Sequence, residues 1–268
     1  MLCFPNAKIN IGLYITGKRP DGYHTIETIF YPVPLTDALE AVKSEKASFT
    51  QTGIKIESLP EDNLVMKAFS LMSEKYNIPP LDIYLKKTIP YGAGLGGGSA
   101  DAAFMLKLIN DLCECHIPDS ELEKLAGSIG ADCPFFIQNK PVIATGTGNI
   151  FRPSDILLNG YTIVIVKPPV AVSTKEAYSN VVPKEAEFSL DKLSSLPVCE
   201  WRNVLKNDFE QSVFEKYPII GEIKDKLYSI GAEYAAMSGS GSSVFGLFKN
   251  NVSLPKFVNC FVWKGTLQ

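Results

Sequence analysis

Over the first sixteen residues apolar and polar positions alternate, with Ile9, Ile11, Leu13 and Ile15 on one side and Lys8, Asn10 and Gly12 on the other, the period-2 mark of a strand. Its polar side is expected to face solvent, or else a cleft. Residues 17–23 make a turn from Pro, Asp and Gly, and residues 24–33 are a second, β-branched and aromatic strand. Residues 36–47 and 48–56 read as further strands. Residues 61–76 read as an amphipathic helix with Leu64, Ala68, Leu71 and Met72 inward, and residues 81–89 as a strand. Residues 100–112 have the apolar majority of a buried helix. Residues 120–129 form a second helix, capped by Asp119 or Ser120 with a glutamate three residues on, and stopping at Gly130 as a C′ glycine.

The pattern restarts between residues 151 and 159, which divides the chain into domains 1–152 and 153–268. In the second, residues 161–167 are a buried strand, 173–179 a short helix and 183–198 a weakly patterned stretch with a helix from Ser189. Residues 208–217 and 218–230 are helices, the later one with Ile219, Ile220, Ile223, Leu227 and Ile230 inward and Gly231 as its stop. Strands at 232–237 and 243–248 flank a Ser238–Ser242 link, and residues 257–263 close the chain as a strand. No internal repeat or low-complexity tract appears along the chain.

Between the strand at 81–89 and the helix at 100–112 runs Pro-Tyr-Gly-Ala-Gly-Leu-Gly-Gly-Gly-Ser-Ala, residues 90–100. A strand-to-helix turn needs one or two glycines; this one has Gly92, Gly94, Gly96, Gly97 and Gly98. Without Cβ the backbone takes positive φ, and a ligand can reach the peptide N–H groups. The first N–H groups of the following helix lack intrahelical partners and sit at its positive end, so the fitting guest is an anion, above all a nucleotide phosphate, with Ser99 placed to cap the helix. No lysine lies between Lys87 and Lys107, which excludes the Walker loop. Gly92, Gly94 and Gly97 satisfy a dinucleotide spacing. The region some twenty residues on is helical in pattern, however, where that fold needs a strand ending in an acid.

Composition narrows the partners. With 26 Lys and Arg against 29 Asp and Glu, and a pI near 5.6, there is no basic field for nucleic acid. Cys3, Cys113, Cys115, Cys133, Cys199 and Cys260 form no C-x-x-C pair, and Cys113-Glu-Cys115-His116 lacks a second ligand pair. They read as reduced thiols of a cytoplasmic protein. No charged leader precedes a long apolar run and no segment approaches eighteen apolar residues, so neither export nor a membrane is expected.

Three features then call for one explanation: Lys8 and Asn10 on the first strand, the glycine loop, and Asp132 wedged between Gly130-Ala131 and an apolar Cys-Pro-Phe-Phe run. Phosphoryl transfer needs donors around the phosphates, a cation for developing charge and a carboxylate to take the proton of the accepting hydroxyl. A carboxylate beside an ammonium stays ionised and able to accept that proton.

These residues resemble the signatures of the GHMP kinases. The signatures occur in order as Pro5-Asn-Ala-Lys-Ile-Asn-Ile-Gly12, the loop at 90–103, and Met237-Ser-Gly-Ser-Gly-Ser-Ser-Val-Phe245. Arg19-Pro-Asp-Gly-Tyr-His24, Gly130-Ala-Asp-Cys-Pro-Phe-Phe136 and Asn207-Asp-Phe-Glu210 resemble the branch of that family whose substrate is a cytidine diphosphate sugar alcohol of the non-mevalonate isoprenoid route. The resemblance covers nearly the whole chain. It implies an α+β fold of two domains, an N-terminal one like ribosomal protein S5 domain 2 and a ferredoxin-like C-terminal one, with a site in the cleft between them. It implies ATP on Pro90, Gly92, Gly94, Leu95, Gly96, Gly97, Gly98, Ser99 and Ala100, Lys8 and Asp132 as the catalytic pair, and Asn10, Tyr23 and His24 on the cytidine side. Phe30, Tyr31 and Tyr178 are further candidates for the ring, and Thr174 for the substrate. Mg²⁺ is expected to arrive on ATP and touch Ser99; the mevalonate-kinase type uses a glutamate, but none of Glu114, Glu121 and Glu123 matches it, so no protein ligand is assigned. A monomer or weak homodimer is expected. The other readings are a homoserine- or mevalonate-type GHMP kinase and a non-catalytic nucleotide-binding relative. The Gly-Tyr-His turn argues against the first, and the presence of both Lys8 and Asp132 against the second.

Overall fold

The computed structural model describes residues 1–55, 62–179 and 181–268; the expected strand end at Ile56 and helix start at Glu61 lie outside the described residues. In chain order the strands are β1 (Leu2–Cys3), β2 (Asn6–Lys18), β3 (His24–Thr36), β4 (Ala38–Lys43), β5 (Ser48–Gly53), β6 (Leu81–Lys87), β7 (Val142–Thr145), β8 (Ile150–Pro153), β9 (Thr162–Lys167), β10 (Tyr234–Met237), β11 (Val244–Phe248) and β12 (Phe261–Thr266). The helices are α1 (Leu64–Tyr76), α2 (Gly97–Leu112), α3 (Asp119–Ile129), α4 (Phe135–Gln138), α5 (Thr174–Ser179), α6 (Trp201–Val204), α7 (Glu210–Lys216) and α8 (Pro218–Ser229). This is the α+β class that the resemblance implies. The chain forms two compact units that alternate along it: Met1–Ala7, Leu35–Tyr91 and Gly96–Lys140 in one, Lys8–Pro34, Gly92–Leu95 and Pro141–Gln268 in the other.

The first unit holds a sheet in the order β1-β4-β6-β5, in which β5 runs parallel to β6 and the other pairs are antiparallel. Alternation in β6 buries Leu81, Ile83 and Leu85, and by the same period it buries Lys87. Helix α1 starts where the Asn63 side chain accepts the Val65 N–H at 2.9 Å, and Val65, Ala68 and Met72 are its buried residues; Leu64 and Leu71 are only half-buried. Helix α2 is largely enclosed, with Asp111 its one exposed residue. Burying Met105, Leu106, Leu108 and Ile109 stabilises it by roughly 1.5–3 kcal/mol per side chain. Helix α3 begins after Pro118 without a side-chain cap; Asp119 and Glu121 lie inside its first turn, where they complement the helix dipole instead of capping it. Gly130 ends that helix in extended backbone (φ −173°), not in the left-handed form of a C′ glycine.

The second unit holds two sheets, β2-β3-β7-β8 and β10-β11-β9-β12. In the latter all pairs are antiparallel, and the inner strand β9 is buried along Thr162–Val166. Helix α8 buries Ile220, Ile223 and Leu227 in this unit's core with Leu13, Ile15, Val164 and Met237, whereas Ile219 turns outward at 37% exposure. Strands β10 and β11 pair from Tyr234↔Leu247 to Met237↔Val244, leaving the serine-glycine link as their hairpin turn.

Candidate active site

Strand β2 is the edge of its sheet, yet it is buried from Asn6 to Ile15. The expectation that Lys8 and Asn10 face solvent therefore fails: they are 4% and 3% exposed. Within the second unit the free edge of β2 is covered by three loops. The Lys8 N–H donates to Leu95 O at 2.9 Å, and the Asn10 N–H to Ser238 Oγ at 3.3 Å. The Leu13 N–H donates to Lys206 O at 2.8 Å, and the Ile15 N–H to Asp208 Oδ2 at 2.8 Å. These donors run 8, 10, then 13, 15, a shift of one position. Gly12, at φ +62° within the strand, makes that shift in the manner of a bulge. The glycine loop, the Ser238 turn and the Asn207–Glu210 segment thus meet on one strand edge.

The side chains there are fixed in a chain. Lys8 Nζ donates to Asn10 Oδ1 at 2.6 Å and lies 4.6 Å from the centroid of the Phe30 ring. Asn10 Nδ2 donates to Thr28 Oγ1 at 3.1 Å, and the Thr28 hydroxyl donates to Gly12 O. Asn10, expected on the cytidine side, thus meets Lys8 through its amide oxygen and Thr28 through its amide nitrogen. Sequence reasoning missed Thr28, for which a threonine on a β-rich strand gave no signal.

The glycine loop crosses from Gly92–Leu95 in the second unit to Gly96–Ala100 in the first. Gly92, Gly94 and Gly96 take φ of +61°, +75° and +70°, so the expected need for residues without Cβ is met. Gly94 also lies against the hairpin turn: Ser238 Oγ donates to Gly94 O at 2.8 Å, and the Ser243 N–H to Ala93 O at 3.2 Å. The N-cap of α2 is Gly96 with no side-chain bond, so Ser99 is not the cap; it stands in the first helical turn. There it lies near the buried thiol of Cys133, which follows Asp132 in sequence. Burial pushes that thiol up to about 12. Within the first unit, then, the half-buried Asp132 sits on a turn beside the start of α2. An anion at this helix start would meet peptide N–H groups of Gly97, Gly98 and Ser99, which no intrahelical carbonyl can satisfy.

Behind that helix start is a buried ionic group the sequence did not disclose. Lys87 Nζ donates to Asp37 and, at 2.6 Å, to Asp101 Oδ2; Asp37 Oδ1 accepts the Ile89 N–H at 2.8 Å. The three side chains are at most 3% exposed. Gly97 packs on this group, and a Cβ there would stand 2.8 Å from Ile89 Cγ2 and 3.3 Å from Lys87 Nζ. Burial drives the Asp101 carboxyl well above the ordinary carboxylate value, and its Oδ1 has no hydrogen-bond partner. Burial opposes the Lys87 charge, but Asp101 and Asp37 outweigh it and raise the ammonium's pKa.

In the second unit His24 stacks on Tyr178, with ring centroids 4.7 Å apart and planes 19° from parallel, and Tyr178 meets Phe209 edge-on at 4.7 Å. Tyr23 is 67% exposed and Thr174 is exposed. Tyr31 is buried, and its hydroxyl accepts the Leu158 N–H at 3.1 Å. Pro90 and Leu95 are buried at the ends of the open glycine segment. Among the described residues no group of three or more His, Cys, Asp or Glu is arranged to hold a metal ion, and no helix is long and apolar enough to cross a membrane.

The chain matches the family model described as the GHMP kinases N terminal domain over residues 63–140 and that of the GHMP kinases C terminal domain over residues 199–261. It is 60% identical over all of both chains to the 4-diphosphocytidyl-2-C-methyl-D-erythritol kinase of Parabacteroides distasonis. A crystal structure of a 4-(cytidine 5′-diphospho)-2C-methyl-D-erythritol kinase superposes with a TM-score of 0.78 at 30% identity, covering 92% of this chain and 90% of that one. Homoserine kinase from Cytophaga hutchinsonii shares the fold, with a TM-score of 0.63 at 18% identity over 99% of this chain and 94% of that one.

Proposed function

The chain belongs to the GHMP kinase family, and from that membership we propose that it transfers the terminal phosphoryl group of ATP to the 2-hydroxyl of 4-(cytidine 5′-diphospho)-2-C-methyl-D-erythritol. The observation that carries this reading is the docking of Gly94 on the Ser238 turn beside the strand of Lys8, which gathers the family's signatures around the open glycine backbone. The loop fits a polyphosphate, since a Cβ at Gly92 would meet nothing within 4 Å and the helix after Gly96 begins with unpaired N–H groups. Gly92, Gly94 and Gly96–Ser99 would hold the phosphates. Mg²⁺ carried on ATP would supply charge neutralisation there.

In this reading Asp132 accepts the proton of the attacking hydroxyl and Lys8 balances the charge that develops in transfer. Asn10 and Thr28 act one step back, by orienting the Lys8 ammonium. His24 takes the cytosine ring on the face turned away from Tyr178, which stacks on it with centroids 4.7 Å apart, too close for a third ring between them. Tyr23 is kept at the rim of that site, and Tyr31 is given no role, since its hydroxyl serves Leu158. Domains 1–152 and 153–268 are retained as part of the proposal, supported by family matches that fall on either side of residue 152. An ADP-release assay comparing the cytidyl substrate with mevalonate and homoserine tests it. Turnover of the cytidyl substrate alone is expected, and preference for either of the others overturns the reading.

A further inference from the structure

Asn207-Asp208-Phe209-Glu210 contributes no catalytic or ligand-binding group in the proposed reaction, yet its side chains reach both β2 and the hairpin turn of the second unit. Asn207, 5% exposed, donates both amide hydrogens to the hairpin turn, to Met237 O at 2.8 Å and to Gly239 O at 2.9 Å, while its Oδ1 accepts the Phe209 N–H at 3.0 Å. Glu210 Oε1 accepts the Met237 N–H at 2.8 Å, and its Oε2 takes Lys224 Nζ at 2.6 Å. Met237 is therefore held by both of its peptide groups at the point where β10 enters the turn. Asp208 grips β2 from the other side: its N–H donates to Leu13 O at 2.9 Å and its Oδ2 accepts the Ile15 N–H at 2.8 Å. Phe209, buried, presents the ring that Tyr178 meets edge-on.

We propose that this tetrapeptide is a positioning clamp: Asn207 and Glu210 fix the Ser238–Ser242 turn so that it holds Gly94, and hence the glycine loop, in the conformation that ATP requires. The proposal rests on the ATP reading above. The physical case is one of direction. A segment needed only to fill core could be apolar, as Phe209 is; here the amide hydrogens of buried Asn207 and one carboxylate oxygen of half-buried Glu210 are spent on peptide groups at one turn, and that turn bonds Gly94 O and Ala93 O in return. A buried amide or carboxylate tolerates few alternative geometries, because any rotation leaves donors or acceptors unpaired away from water. The turn is thereby held to a single position, and so is the loop that leans on it.

The test uses the full chain with ATP as the probe. Asn207→Asp keeps the acceptor for Phe209 N–H, removes both donations and sets a carboxylate oxygen against two carbonyls. Direct ATP binding should weaken about tenfold or more with the loss of two buried bonds. The KM for ATP should rise to match, with the KM for the cytidyl substrate changed less. Glu210→Ala should shift ATP the same way, and Glu210→Gln, which keeps an acceptor for Met237 N–H, should recover the affinity; this pair decides the matter if Asn207→Asp does not fold. Unchanged ATP affinity in folded Asn207→Asp and Glu210→Ala, or equal weakening for both substrates with no recovery in Glu210→Gln, overturns the clamp. Wild-type protein that binds ATP but ignores the cytidyl substrate would sink the functional reading and leave this test standing. Wild-type protein that does not bind ATP would sink both.

Discussion

A methyl group added at Gly94 would stand 1.9 Å from the carbonyl oxygen of Ser238, inside the hairpin turn 144 residues along the chain. That contact is backbone against backbone, so no rotamer change relieves it. Gly92, two residues earlier in the same open segment and also left-handed at φ +61°, has nothing within 4 Å of an added Cβ.

The two positions should therefore separate strain from overlap. Gly92→Ala should cost about 1–2 kcal/mol for the left-handed backbone alone. Gly94→Ala should cost clearly more, with a lower urea midpoint and a larger rise in the KM for ATP. Equal effects of the two substitutions would mean that the approach of the turn to the loop does not matter.

Asp132→Asn keeps shape and hydrogen-bonding reach while removing the base. Turnover should fall about 10²–10⁴-fold, the usual worth of a general base. Binding of ATP, measured directly, should stay near the wild-type value. Turnover within a few fold of wild type would remove Asp132 from the chemistry.

His24→Ala removes one face of the stacked pair with Tyr178. Aromatic pairs are worth about 0.5–1.5 kcal/mol beyond their buried area, so the KM for the cytidyl substrate should rise about two- to tenfold. The KM for ATP should not move. A shift in the ATP KM instead would place the base-binding surface elsewhere.

The Lys87 group gives stability a pH dependence of known sign. The Asp101 carboxyl is raised in the folded chain above its ordinary 3.8, so folding takes up a proton there. Its contribution is fully present below that unfolded value and is lost as pH rises through the folded one. Lys87, also raised, contributes below 10.5 and loses its part above it. Urea midpoints should therefore decline with rising pH above about 4 by an amount that Asp101→Asn removes. Lys87→Met, which leaves two carboxylates buried without their cation, should cost about 3–5 kcal/mol. A wild-type midpoint that climbs over the same range, with no flattening in Asp101→Asn, would refute the assignment.

Cys133 should resist alkylation. Its thiol is fully buried and pushed up to about 12, chiefly by burial, whereas Cys199 is exposed. Iodoacetamide at pH 8 should label Cys199 first and reach Cys133 only in denaturant. Early labelling of Cys133 in the native protein would show the turn beside Asp132 to be open.

Much of this protein was written locally. Glycines at alternate loop positions demanded positive φ, alternation made β6 a strand, and an apolar majority made α2 a buried helix, because backbone sterics and hydrophobic period act within a few residues. The loop, Lys8 and Asp132 stood out on those grounds, and the ordered motifs placed them in a family. What the sequence could not state is which edges and faces find each other. Lys8 and Asn10 looked like solvent-facing residues until the loops were laid along the open edge of β2, and Ser99 looked like a cap until Gly96 took that place. The same holds for the Asp37, Lys87 and Asp101 group and for the grip of Asn207 on Met237: hydrogen bonds and ion pairs between segments tens or hundreds of residues apart leave no period in the chain, and only the packed backbone brings them within reach.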